Sequence, residues 1–127
     1  MTISPIVTQR APAPKGHYSQ GIMAGNLVFV SGQLSFDPKT GAVISGDIRA
    51  QTRQILENMK SILEQAGCSM DDVVKTTVFI TTLEDIKAMN EVYESYFRRI
   101  PPARSTVIVS QFPADLKIQI DAIAMVP

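Results

Sequence analysis

The chain carries one cysteine, Cys68, and one histidine, His17. A single thiol cannot close an internal disulfide. One histidine cannot build a metal site, and no Cys–His pair is available as a nucleophile and base. Charge of neither sign is in excess: twelve Lys and Arg balance twelve Asp and Glu. The balance argues against a broad nucleic-acid footprint, although a local patch would survive it. No apolar run is long enough to cross a bilayer, so no membrane partner is expected. The start, Met1-Thr2-Ile3-Ser4-Pro5, lacks a basic segment followed by an apolar stretch, which argues against a signal peptide. There is no Gly-rich phosphate loop and no nucleophile elbow. The expectation is a soluble, cytoplasmic protein.

What is present suits one domain over residues 1–127, with 45% apolar residues and length enough for a core. Ala11-Pro12-Ala13-Pro14-Lys15-Gly16 is a turn-rich lead-in. A short strand is expected near Ile6 to Gln9. Ile22 to Gly25 and Asn26 to Leu34 read as a hairpin around Gly25-Asn26. Asp47 has the look of an N-cap for a helix whose apolar face runs Ile48, Ile55, Leu56, Met59, Ile62, Leu63 and Ala66, stopped by Gly67. Asp72 to Thr81 is a strand. Thr82 is expected to cap a second helix in a capping box with Asp85; its apolar face runs Ile86, Met89, Tyr93, Tyr96, Phe97. Pro101 and Pro102 end it. Arg104 to Ser110 and Lys117 to Val126 are the last strands. The order is β-β-β-α-β-α-β-β. Several strands carry apolar bulk on both faces, as in Val28-Phe29-Val30 and Val107-Ile108-Val109. Two helices cover only one face of a sheet, so a symmetric oligomer is the simplest cover for the other.

Chemistry concentrates in few places. Arg104 opens a β-branched strand, where a guanidinium offers a planar fork suited to a carboxylate. Alternation puts Arg104, Thr106 and Ile108 on one face of that strand, and Asp121 on a face with Gln119 and Ile123. A charge in an apolar strand is costly unless paired or functional. An Arg104–Asp121 ion pair stitching the sheet and a working site therefore compete evenly. Asn90 lies on the apolar side of its helix, where a helix-to-strand brace is the plainer reading. Ser31-Gly32 marks either a bulge or a close approach by a ligand or chain. Tyr18 offers a flat wall with a polar tip. Lys75 reads as solvated or salt-bridged.

Tyr18-Ser19-Gln20, Val30-Ser31-Gly32-Gln33, Val74-Lys75-Thr76-Thr77-Val78-Phe79, Asn90-Glu91-Val92-Tyr93, Pro102-Ala103-Arg104-Ser105 and Lys117 to Ala124 together resemble the Rid family, the reactive intermediate deaminases also called YjgF. The resemblance covers nearly the whole chain in order. It implies a chorismate-mutase-like α+β protomer, a mixed β-sheet with two helices packed on one face, in a homotrimer with sites in the clefts between subunits. It implies hydrolysis of enamine and imine acids, such as 2-aminoacrylate and 2-aminocrotonate, to 2-keto acids and ammonia, with no cofactor and no metal. Such intermediates are released by pyridoxal-phosphate dehydratases. The family's carboxylate-binding arginine matches Arg104, and its water-orienting acid, usually glutamate, is matched to Asp121. Tyr18, Ser31, Gly32, Asn90 and Thr106 match the remaining pocket positions. His17 replaces the usual proline. The competing functions are a catalytically weak binding or regulatory protein of the same fold and, further off, an RNA-cleaving translation inhibitor.

Overall fold

The computed structural model describes residues 2–127. Its elements run β1 (Ile3–Ile6), β2 (Gly21–Ala24), β3 (Leu27–Gln33), α1 (Ile48–Gln65), β4 (Val73–Ile80), α2 (Ile86–Tyr96), β5 (Ala103–Ile108) and β6 (Ile118–Met125). All six strands join one sheet in the order β1-β2-β3-β6-β4-β5. Every pairing is antiparallel except β4 with β5, whose crossover is α2. The mixed α+β architecture with two helices is the one the sequence implies.

The core lies between the helices and one sheet face. Ile55, Leu56, Met59, Ile62 and Leu63 of α1, spaced at the helical period, meet alternate residues of the central strands, among them Val28, Val78, Ile118 and Ile120. Met89 and Tyr93 of α2, with Phe97 just past its end, join them. The opposite face is left bare. Phe29, Val107 and Met125 are more than 40% exposed there, and every residue of β5 is exposed.

Local chemistry sets the boundaries. Asp47 caps α1 by accepting from the Ala50 amide at 2.9 Å. Gly67 adopts a positive φ of 83° just past the helix end. Two expectations shift. The first strand occupies Ile3–Ile6, not Ile6 to Gln9. The cause is the buried Gln20 side chain: it accepts from the Thr8 amide and donates to the carbonyls of Thr8, Ala11 and Pro12, diverting that backbone from the ladder. The capping box at Thr82 and Asp85 does not form. Thr82 caps a short 3-10 turn, Leu83–Asp85, through the Glu84 amide, and α2 starts only at Ile86.

Asp47→Ala removes one cap from the longest helix, and its cost should be about 1 kcal/mol. Urea unfolding should show a lower midpoint with an unchanged slope.

Candidate active site

Arg104 is placed by register. It sits opposite Thr76 in the parallel β4–β5 pair, and Thr76 is buried toward the helices. The guanidinium therefore emerges on the helix side, beside α2. Its Nη1 donates to Asn90 Oδ1 at 2.8 Å, and its central carbon stands 4.9 Å from the Tyr93 ring centroid. Asn90 is thus the helix-to-strand brace, and the strand residue it braces is Arg104. The Tyr93 hydroxyl shares a 2.7 Å hydrogen bond with Thr76. Burial pushes that phenol above its ordinary value, with Thr76 and Arg104 pulling the other way. Asn90, Tyr93, Phe97, Pro101 and Arg104, with Glu94, line an open groove of about 270 Å³. Five N–H groups make up the guanidinium fork, and the bond to Asn90 uses only one of them. Thr106, opposite Val78, shares the face of Arg104 and is exposed.

Ser31 and Gly32 sit where the β3–β6 ladder breaks register, between Val30 and Gln33. The Ser31 hydroxyl donates to the Ser19 carbonyl at 2.6 Å, tying the strand to the lead-in. Gly32 is a close approach: a Cβ there would lie 2.5 Å from Gln119 Nε2. Tyr18, 51% exposed, receives a hydrogen bond from the Lys15 amide on its hydroxyl. It lines a narrow cleft with Gly32, Leu34 and Phe36. His17 is exposed.

Asp121 faces the other way from Arg104. It sits opposite Thr77 and accepts from the Thr77 amide at 3.1 Å. Thr76 and Thr77 are adjacent in one strand, so their partners stand on opposite sheet faces. This is why no Arg104–Asp121 ion pair forms. Salt bridges among the described residues join Arg10 to Glu64 and Arg49 to Glu91 instead. Asp121 shares a groove of about 320 Å³ on the bare face with Phe29, Ser31, Gly32, Lys75 and Thr77.

The seven sequence-predicted positions therefore fall into two groups. Arg104, Asn90 and Thr106 stand at the β5 edge on the helix side. Tyr18, Ser31, Gly32 and Asp121 gather around β3 and β6. Three strand spacings, about 14 Å, separate β3 from β5, more than a small acid can span within one chain. Gln119 is a residue the sequence reading passed over as a site candidate. Its alternation with Asp121 was visible, but its contact with Gly32 depends on the break in register. Among the described residues no cluster of three His, Cys, Asp or Glu could hold a metal ion.

Gly32→Ala should displace the flexible Gln119 amide rather than unfold the sheet. Urea unfolding of Gly32→Ala, Gln119→Ala and the double variant should show coupling of at least about 0.5 kcal/mol, the double costing less than the sum. Strict additivity would separate the two side chains.

Residues 8–126 match the family model described as Endoribonuclease L-PSP. A RutC family protein of Pyrococcus horikoshii is 54% identical over 119 residues, covering 94% of each chain. The 2-iminobutanoate/2-iminopropanoate deaminase of Salmonella typhimurium is 50% identical over 123 residues, covering 94% of this chain and 95% of that one. A solved Yersinia pestis structure of the conserved Rid protein family, YyfA, superposes with a TM-score of 0.94 at 43% identity over 98% of this chain and all of the other. Matched along nearly its whole length in sequence and in fold, the chain belongs to the Endoribonuclease L-PSP family, the family of the Rid (YjgF) proteins.

Proposed function

We propose that the chain is a hydrolytic deaminase of small enamine and imine acids, such as 2-aminoacrylate or 2-aminocrotonate, working at sites shared between copies of a homotrimer. The observation that carries the reading is Arg104. Its guanidinium is held by Asn90 and Tyr93 at the rim of an open groove, with donors free for a carboxylate. The deaminase name of a relative at 50% identity supports the same chemistry.

An enamine acid first tautomerises to its imine, whose carbon is electrophilic. Arg104 binds the carboxylate and fixes that carbon, which is catalysis by orientation. A water adds to the carbon as the C=N pair moves onto nitrogen, giving a carbinolamine. Proton transfer from oxygen to nitrogen then lets the C–N bond break, with release of ammonia and a 2-keto acid. Asp121 of a neighbouring copy is the proposed proton acceptor for the water. Gln119, two residues earlier on the same face, can hold a water by hydrogen bonds but cannot take its proton. Glu94 at the groove rim suits the protonated nitrogen of the bound imine.

Arg104→Lys should lose most activity while the assembly persists, because a point charge does not reproduce a bidentate fork. Initial rates in a coupled assay check this, with a dehydratase generating the enamine and keto-acid formation followed. A lysine variant at wild-type rate would remove Arg104 as anchor.

Asp121→Asn should slow turnover on 2-aminoacrylate and 2-aminocrotonate by roughly 10²-fold, with folding checked by circular dichroism and mass by sedimentation. An unchanged rate would move the binding-protein reading ahead. RNA cleavage, which the family model's description names, is separated by an RNA-binding assay at increasing salt.

A further inference from the structure

We propose that Lys15 is a positioning residue: its ammonium latches the lead-in to the turn after β3 and so fixes the Tyr18 ring at the β3 half of the site. The proposal rests on the functional reading above. Residues 13–18 are all exposed, and they bridge two anchors. On one side the buried Gln20 side chain holds Thr8, Ala11 and Pro12. On the other, the hydroxyl and amide of Ser31 donate to the carbonyls of Ser19 and Gln20. Among the described residues, one hydrogen bond joins the stretch between these anchors to the rest of the chain: Lys15 Nζ donates to the Gly41 carbonyl at 2.7 Å. The same ammonium stands 4.5 Å from the Phe36 ring centroid.

The acceptor is held firmly. Asp37 Oδ1 accepts from the Lys39 and Thr40 amides at 2.7 and 3.1 Å. The Asp37 amide donates to the Ala42 carbonyl, and the Gly41 amide donates back to the Asp37 carbonyl. The turn thus presents the Gly41 carbonyl in a fixed place. On the lead-in, the Lys15 amide donates to the Tyr18 hydroxyl at 3.1 Å, and the Tyr18 amide donates to the Gly16 carbonyl at 3.0 Å. A Cβ on Gly16 would lie 3.4 Å from the Tyr18 ring, so the ring is folded over its own turn. Lys15 holds Tyr18 with its backbone and the body of the protein with its side chain. Tyr18 in turn lines the narrow cleft with Gly32 and Phe36, and Phe36 is the ring beside the ammonium. A charge-assisted hydrogen bond and an exposed cation–π contact are each modest, but no other hydrogen bond ties down these six residues. An apolar wall placed this way contacts ground state and transition state alike, so loosening it raises KM and spares kcat.

The test combines hydrogen exchange with kinetics on the full chain. Lys15→Met keeps an apolar stem and loses the ammonium. Amide exchange over residues 11–20 should quicken about fivefold. KM for the enamine acid should rise by about the same factor, with kcat unchanged. The coupled assay gives both constants when the amount of dehydratase is varied to set the enamine level. Lys15→Arg should restore exchange and KM, since a guanidinium can donate to the same carbonyl and stack on the same ring. Lys39→Met, at an exposed lysine of the same turn, should leave both as in wild type. In a Tyr18→Ala background, Lys15→Met should add nothing further to KM. Unchanged exchange in Lys15→Met overturns the latch. Faster exchange with an unchanged KM, or a KM rise of full size in the Tyr18→Ala background, overturns the positioning of Tyr18. A wild type inactive on enamine acids overturns the functional reading, and the exchange arm then decides the latch by itself.

Discussion

The parallel pairing of β4 with β5 is the constraint on which the site depends. Parallel neighbours need a crossover, and the segment between them supplies α2. That crossover lays Asn90 and Tyr93 over the start of β5, where Thr76 fixes the partner position as Arg104. One register decision thus orients the guanidinium, provides its hydrogen-bond acceptor and gives it an aromatic floor. A slip of one residue would turn Arg104 onto the bare face and bury Ser105 against Tyr93.

The same sidedness governs the rest of the sheet. Strands buried on both faces carry bulk on both, and here only one face has helices over it. β5 is the extreme case: it is an edge strand, exposed along its length, with Val107 and Ile108 uncovered. An uncovered edge of that composition would pair with other chains unless a defined contact claims it. The two groups of candidate residues lie on the same sheet three strand spacings apart, at central β3 and edge β5, farther than a small substrate bridges within one chain.

How legible this was depended on range in sequence. Helix α1 could be read from its seven-residue apolar face, Asp47 and Gly67 because caps and periodicity are local. The hairpin of β2 and β3 followed from Gly25-Asn26 for the same reason. The first strand was misplaced because a single distant amide, Gln20, captures the lead-in backbone. Thr82 was recognised as a cap, but a 3-10 turn intervened before α2, which spacing does not reveal. At the site, alternation gave the facing of Arg104 and of Asp121 within their own strands. It could not say that those faces oppose each other, since that follows from the pairing of both strands to adjacent residues of β4. Gln119 was missed on the same ground, its meaning arising only from the break in the β3–β6 ladder beside Gly32.

The groove's charge pattern bears on what it can accept. Arg104 supplies one cation, and Glu94 lines the same groove with the opposite sign. A phosphodiester chain brings repeated negative charge and gains from stacked cations, so a carboxylate at the rim works against it. A protonated imine acid is a zwitterion. Its carboxylate matches the guanidinium, and its nitrogen matches the glutamate. The aromatic floor of Tyr93 and Phe97, ring centroids 4.6 Å apart, adds an apolar surface for a short side chain. Hydrolysis of such an imine needs a held water and an oriented carbon more than a strong nucleophile, because the carbon is already electrophilic. A chain with one buried cysteine and one exposed histidine is therefore not under-equipped for chemistry of this kind.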